Sequence, residues 1–139
     1  MQNIMNIAVK EAIKANNIDD VPVGAVITCD GMVLAKAYNQ KEYKQCATKH
    51  AEIIAIEKAC KKLHSWHLDN CTLYCTMEPC MMCCGAIIQS IIKKVYYLIK
   101  NDNYGCTELL KNSKIEVEKL DMNSDLKEKL VCFFKQKRQ

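Results

Sequence analysis

Two short stretches hold the residues able to do chemistry, Lys49-His50-Ala51-Glu52-Ile53 and Met77-Glu78-Pro79-Cys80-Met81-Met82-Cys83. A neutral imidazole and two thiolates are donors that Zn2+ prefers, and three protein ligands leave a fourth tetrahedral position open to water. An open position separates a catalytic site from a structural one. Cys80 and Cys83 are three residues apart, just after Pro79, a good helix-entry residue, so their side chains share a face and can chelate one ion. The positive end of the helix dipole favours thiolates there. His50, Cys80 and Cys83 are therefore expected to hold one Zn2+. Glu52, two residues beyond His50, is expected not to be a ligand but to exchange a proton with the water in the fourth position. The alternative is a structural zinc site with a solvated Glu52. Such a site needs a fourth protein ligand, and Cys84 is the nearest candidate.

The elements that must position these residues follow from periodicity. Asn3 to Asn16 places Ile4, Ile7, Ala8, Ala12 and Ala15 at helical spacing. A strand begins at Val21-Pro22-Val23-Gly24, where Gly24 allows another group close to the backbone. Asp30-Gly31 is a hairpin turn, and Met32 to Tyr38 returns as the second strand. Asn39 then closes a strand, either as a turn residue or with its amide directed into a pocket. Residues 40–49 form a polar loop. From His50 to Leu63 an apolar stripe of Ile53, Ile56, Cys60 and Leu63 marks a helix with the first ligand on its first turn. His64-Ser65-Trp66-His67 has no neighbouring ligand set and reads as a loop. Thr72 to Thr76 is a buried-type strand that leads into the helix Cys80 to Ser90, which puts the site at the carboxyl edge of a sheet. Cys84 would point about 100° away from Cys83 and reads as packing. Lys94 to Ile99 and Ile115 to Leu120 are further strands, with the polar loop Lys100 to Gly105 after the first of them. Asn123-Ser124 caps a last helix whose Leu126, Leu130, Val131 and Phe134 face inward. It ends in Lys135-Gln136-Lys137-Arg138, cations that suit a helix C-terminus and could also meet phosphates.

This order predicts an α/β fold, a three-layer α/β/α sandwich around a mixed five-stranded sheet. The 139 residues are expected to form one domain, 1–139, that buries about two thirds of its unfolded surface without cross-links. Ten scattered cysteines and no signal-like stretch point to a reducing cytoplasm, with the eight non-ligand cysteines expected as small buried hydrophobes. No apolar run approaches a membrane span. A net charge of +4, with Arg138 the only arginine, permits nucleic-acid binding without requiring it.

The spacing His50-x-Glu52 followed by Pro79-Cys80-x-x-Cys83 resembles the signature of the zinc-dependent nucleoside and nucleobase deaminases. Along nearly its whole length the chain resembles the bacterial-type tRNA adenosine deaminases, which convert the wobble adenosine of an anticodon to inosine. The likeness rests on Val21-Pro22-Val23-Gly24-Ala25-Val26, Asn39, Lys49 to Ile53, Thr72-Leu73-Tyr74, Glu78 to Cys83, Gly85-Ala86-Ile87 and Phe133-Phe134 with the basic residues after it. The resemblance implies zinc on His50, Cys80 and Cys83, proton transfer by Glu52, and Asn39, Val23 and Ala51 against the substrate. It also implies a tRNA anticodon stem-loop as partner, a homodimer, and cytoplasmic location. Two stretches depart from the family pattern. Cys46-Ala47-Thr48-Lys49 precedes His50 where the family reads close to D-P-T-A, and Leu98 to Cys106 replaces a G-A-x-D-x-K-x-G-A-like segment. Asn101 then stands as a neutral amide where the family loop carries a carboxylate, so RNA is expected to be discriminated from DNA differently. Two rival readings are a deaminase of a free base or nucleoside (guanine, cytosine or cytidine type) and a non-catalytic zinc-containing RNA-binding partner. The presence of Glu52 argues against the second, because a scaffold needs no proton shuttle.

Overall fold

The structure is a computed structural model that describes residues 1–137; Arg138, the last cation of the basic terminus, lies outside the described residues. Among these residues the order is α1 (Gln2–Asn17), β1 (Gly24–Cys29), β2 (Met32–Tyr38), α2 (Lys41–Lys44), α3 (Ala51–Leu63), β3 (Cys71–Met77), α4 (Met81–Gln89), β4 (Lys94–Ile99), α5 (Thr107–Asn112), β5 (Glu116–Lys119) and α6 (Asp125–Lys137). The strands form one sheet in the order β2-β1-β3-β4-β5. β1 runs antiparallel to both β2 and β3, whereas β3, β4 and β5 are parallel, so the sheet is mixed as expected. Asp30 and Gly31 both have positive φ, 52° and 80°, as a two-residue hairpin turn of this hand requires.

Alternation along the strands builds two cores. Ala25, Ile27, Leu73, Cys75 and Val95 face α3, α4 and α5, and Val26, Tyr74, Tyr96 and Leu98 face α1 and α6. The layers are therefore helix, sheet, helix. β2 lies at one edge, and two lysines of α3 cover part of its backbone: Lys58 Nζ donates to the Lys36 carbonyl at 2.9 Å and Lys62 Nζ to the Leu34 carbonyl at 3.1 Å. Occupied carbonyls with charge above them discourage pairing with another strand.

Several expectations are corrected. The stripe expected on α3 is rotated: Ala51, Glu52, Ala55 and Ala59 are its buried residues, while Leu63 is exposed. Alanine allows the helix backbone close to the sheet, so small side chains take the inward face and the larger ones flank it. On α1 the buried side chains include Met5, Val9 and Glu11, the last paired with Lys14 at 2.6 Å. The loop expected over 40–49 contains α2, a single turn without buried residues that Asp20 holds by accepting the Tyr43 N–H at 2.9 Å. Residues 107–112 form α5, too short for its periodicity to stand out, with Thr107 and Leu110 buried. Of the eight non-ligand cysteines only Cys71, Cys75 and Cys84 are buried, and Cys132 is exposed. Cys132 lies on the solvent side of α6, and Cys46 sits in the turn before α3 beside the Thr48 hydroxyl.

Gly24 shows why one position is closed to side chains. A Cβ there would meet the Ala8 carbonyl and stand 2.6 Å from the Ala12 nitrogen, both backbone atoms of α1. Its N–H meanwhile donates to the Thr76 hydroxyl at 3.0 Å, fixing β1 against β3. Neither neighbour can rotate away. We expect Gly24→Ala to lose about 2–3 kcal/mol in urea unfolding, the usual scale of overpacking; an unchanged midpoint would show that α1 moves freely.

Candidate metal and deaminase site

His50 and Cys80 are the residues immediately before α3 and α4, each with extended backbone (φ −77°, ψ 150° and φ −76°, ψ 176°). Both ligands therefore sit one residue ahead of where helical spacing put them, at the N-cap. Cys83, on the first turn of α4, returns toward Cys80 as an N3 side chain returns toward its cap. Two helix N-termini thus point at one spot, each contributing positive potential.

The three donor atoms form a nearly equilateral triangle. Cys80 Sγ and Cys83 Sγ are 3.7 Å apart, and His50 Nδ1 lies 3.7 Å from the first and 3.6 Å from the second. Zn–S bonds of about 2.3 Å and Zn–N bonds of about 2.0 Å at tetrahedral angles give edges of about 3.8 Å between sulfurs and about 3.5 Å from sulfur to nitrogen. The triangle is one face of such a tetrahedron, and the donor set fits a soft metal ion. Among the described residues it is the one group of His, Cys, Asp or Glu side chains with metal-binding geometry. Cys84 is no part of it: its thiol faces the carbonyls of Pro79 at 3.6 Å and Cys106 at 3.3 Å. The fourth ligand that a closed structural site would need is therefore not supplied by Cys84.

Titration in the cluster follows from the shared contacts. Hydrogen bonds from Cys83 and His50 bring the Cys80 thiol down to about 3, and the same sharing, together with burial, pushes Cys83 up. The contact with Cys80 raises the His50 imidazole.

Glu52 lies on the first turn of α3, 4% exposed. Burial raises its carboxyl pKa, and its Oε1 has no hydrogen-bond partner. Buried polar atoms are nearly always satisfied, so an orphaned acceptor beside a metal-binding triangle marks a place for a further molecule. That place is a cavity of about 750 Å3.

The cavity wall contains Val23, Asn39, His50, Ala51, Glu52 and Cys80, so the sequence-expected residues are brought together there, with Cys83 buried behind them. Asn39 takes the turn reading, at a position on the cavity wall. Its Oδ1 accepts the Lys41 N–H at 3.3 Å, a side-chain turn, its Nδ2 donates to the Val21 carbonyl at 3.3 Å, and it lines the cavity. Asn101 also lines it, with its Oδ1 engaged by the Tyr104 N–H at 3.1 Å. Sequence reasoning did not place Lys41, Met81 or Tyr104 on this wall, nor Phe134, which α6 brings across from the other end of the chain. Exposure of Tyr104 and Met81 carries no periodic signal, whereas the inward face of α6 had singled out Phe134 without indicating what it faced.

Residues 1–138 match the family model of the MafB19-like deaminases. A tRNA-specific adenosine deaminase of Bacillus subtilis (strain 168) is 43% identical over 108 residues, covering 78% of this chain and 67% of that protein. A solved structure from a study of A-to-I editing by tRNA:A34 deaminases is 33% identical with a TM-score of 0.81, covering 86% of this chain and 98% of that one. The solved guanine deaminase of Bacillus subtilis is 34% identical with a TM-score of 0.70, covering 84% of this chain and 71% of that one. By sequence, fold and the geometry of its site, the chain belongs to the MafB19-like deaminases and, within that deaminase fold, to the family of the tRNA-specific adenosine deaminases.

Proposed function

We propose that the protein hydrolyses adenosine to inosine at the wobble position of a tRNA anticodon, with Zn2+ held by His50, Cys80 and Cys83 and with Glu52 as the proton carrier. The observation that supports this most directly is the orphaned Glu52 oxygen beside three soft donors at the cavity wall. Zinc, when bound, supplies Lewis acidity that makes hydroxide available near neutral pH. Glu52 accepts the proton lost by water and passes protons to N1 of the adenine ring and to the departing amino group, so water and adenosine give inosine and ammonia. Asn39, with the Val23 side chain and the Ala51 backbone, orients the base at the cavity wall. An unpaired anticodon nucleotide can enter such a cavity without the cost of opening a duplex.

The guanine deaminase likeness supports a second reading, a deaminase of a free base. Inosine formation is assayed on an anticodon stem-loop with adenosine at the wobble position, beside free adenosine, cytidine and guanine. Product in the stem-loop alone supports the first reading. Ammonia from a free base alone transfers the same chemistry to the second.

The proposal extends to a cytoplasmic homodimer, on the strength of the family resemblance. Among the described residues no helix is long and apolar enough to cross a membrane. Light scattering should give about twice the 15.9 kDa chain mass, and a monomer at assay concentrations would remove the second subunit from the account.

Two sets of variants test the assignment. Glu52→Gln should lower kcat by about 10²–10⁴-fold while the protein keeps its zinc, and activity within a few-fold of wild type would mean another group moves the proton. Elemental analysis should find about one zinc per chain in wild type and in Cys84→Ser but little in Cys83→Ser. Loss of metal in Cys84→Ser alone would return that residue to the ligand set.

A further inference from the structure

The segment 101–106 forms one wall of the cavity through Asn101, Asn103, Tyr104 and Gly105. It has little apolar burial to hold it, and Tyr104 is 72% exposed. Its position must come from hydrogen bonds, and two of these lead to one carboxylate. Glu78 is 6% exposed and makes no ion pair among the described residues. Its Oε1 accepts the Asn101 N–H at 3.2 Å, and its Oε2 accepts the Thr107 hydroxyl at 2.7 Å. One oxygen thus holds each end of the segment. Between these ends the Gly105 backbone lies so close that a Cβ would stand 2.5 Å from the Glu78 carboxyl carbon. Gly105 also forms an isolated bridge with Cys80, and the Cys106 N–H donates to the Pro79 carbonyl at 3.1 Å.

We propose that Glu78 is a positioning residue, which holds the 101–106 loop at the cavity mouth so that Tyr104 and Asn103 meet a nucleotide flanking the target base. The inference rests on the RNA substrate proposed above. The exposed Tyr104 ring offers a stacking face of the kind that holds unpaired bases. Because Glu78 lies two residues before Cys80, the loop is placed in register with the metal-binding cluster by the same short segment of chain. Losing the bracket leaves His50, Cys80, Cys83 and Glu52 in place at the starts of α3 and α4. The loss therefore falls on substrate binding, in KM, and not on the chemical step.

The two donors differ in a way that supplies controls. A backbone N–H can only donate, whereas a threonine hydroxyl donates or accepts. Glu78→Gln can keep both links, with its amide oxygen toward Asn101 and its amide N–H toward a reversed Thr107 hydroxyl. Glu78→Ala keeps neither, and Thr107→Val removes one. These variants and wild type, all zinc-loaded, are compared in kcat and KM on the anticodon stem-loop, in zinc content, and in amide exchange across 101–106. Glu78→Ala should raise KM about tenfold with kcat within about twofold, full zinc and faster exchange at Asn101 and Gly105; Glu78→Gln should recover most of the loss, and Thr107→Val should fall between. A wild-type KM and wild-type loop exchange in Glu78→Ala would overturn the proposal, as would a Gln variant as impaired as the Ala variant. If Glu78→Ala does not fold, Thr107→Val decides, and unchanged KM with unchanged exchange there has the same meaning. Should wild type fail to turn over the stem-loop, the substrate reading falls, and amide exchange in the variants still decides whether Glu78 holds the loop.

Discussion

His50 ends the chain's approach to α3, Cys80 ends its approach to α4, and the two side chains face each other with 3.7 Å between Nδ1 and Sγ. Much of the rest of the fold follows from keeping that contact. Metal–ligand distances tolerate only about 0.2 Å, so the two helix starts must hold still relative to one another. α3 achieves this by seating Ala51, Ala55 and Ala59 against the sheet, where there is no long side chain to rearrange. α4 achieves it by following directly from β3, the middle strand of the sheet, and by burying Cys84 and Ile87 beneath it.

Three buried carboxylates near this centre can be told apart by where their hydrogen bonds go. Asp20 accepts the backbone N–H groups of Val21 and Tyr43, both at 2.9 Å, and so fixes the turn that carries Lys41 to one side of the cavity. Glu78 accepts the Asn101 N–H and the Thr107 hydroxyl, at the two ends of another part of the wall. Glu52 alone has an oxygen with nothing to accept. Satisfied acids of this kind shape a site, whereas an unsatisfied one costs stability that only a further interaction can return. Glu52 is thus the carboxylate left with an oxygen free for a further molecule, and Asp20 and Glu78 are bonded to the surrounding chain.

The cavity draws its wall from the β1 approach, the end of β2, the starts of α3 and α4, the loop after β4 and a side chain of α6. All of these lie at or near one end of the sheet, where the parallel strands β3 and β4 release the chain. The opposite end, with the Asp30-Gly31 hairpin, contributes none of the wall. Helix starts thus carry the metal-binding donors and Glu52, and polar loops supply much of the remaining wall.

The residues able to hold an ion, His50, Cys80 and Cys83, and the carboxylate beside them, Glu52, were legible in the sequence because donor chemistry and short spacing are local. The hairpin at Asp30-Gly31 and the alternation of the strands were legible for the same reason. The inward face of α3 was misread because periodicity weighs large apolar side chains, whereas close packing against a sheet selected the alanines. α2 was read as part of a loop and α5 was given no element at all, because four and six residues give too little periodicity. Only tertiary structure could decide that Asn39 serves a turn at a position on the cavity wall, that Phe134 closes a wall some eighty residues from the first ligand, and that Glu78 spans the two ends of a loop. Those facts depend on distances between segments far apart in sequence, which are set by how the layers pack and are written in no single stretch of the chain.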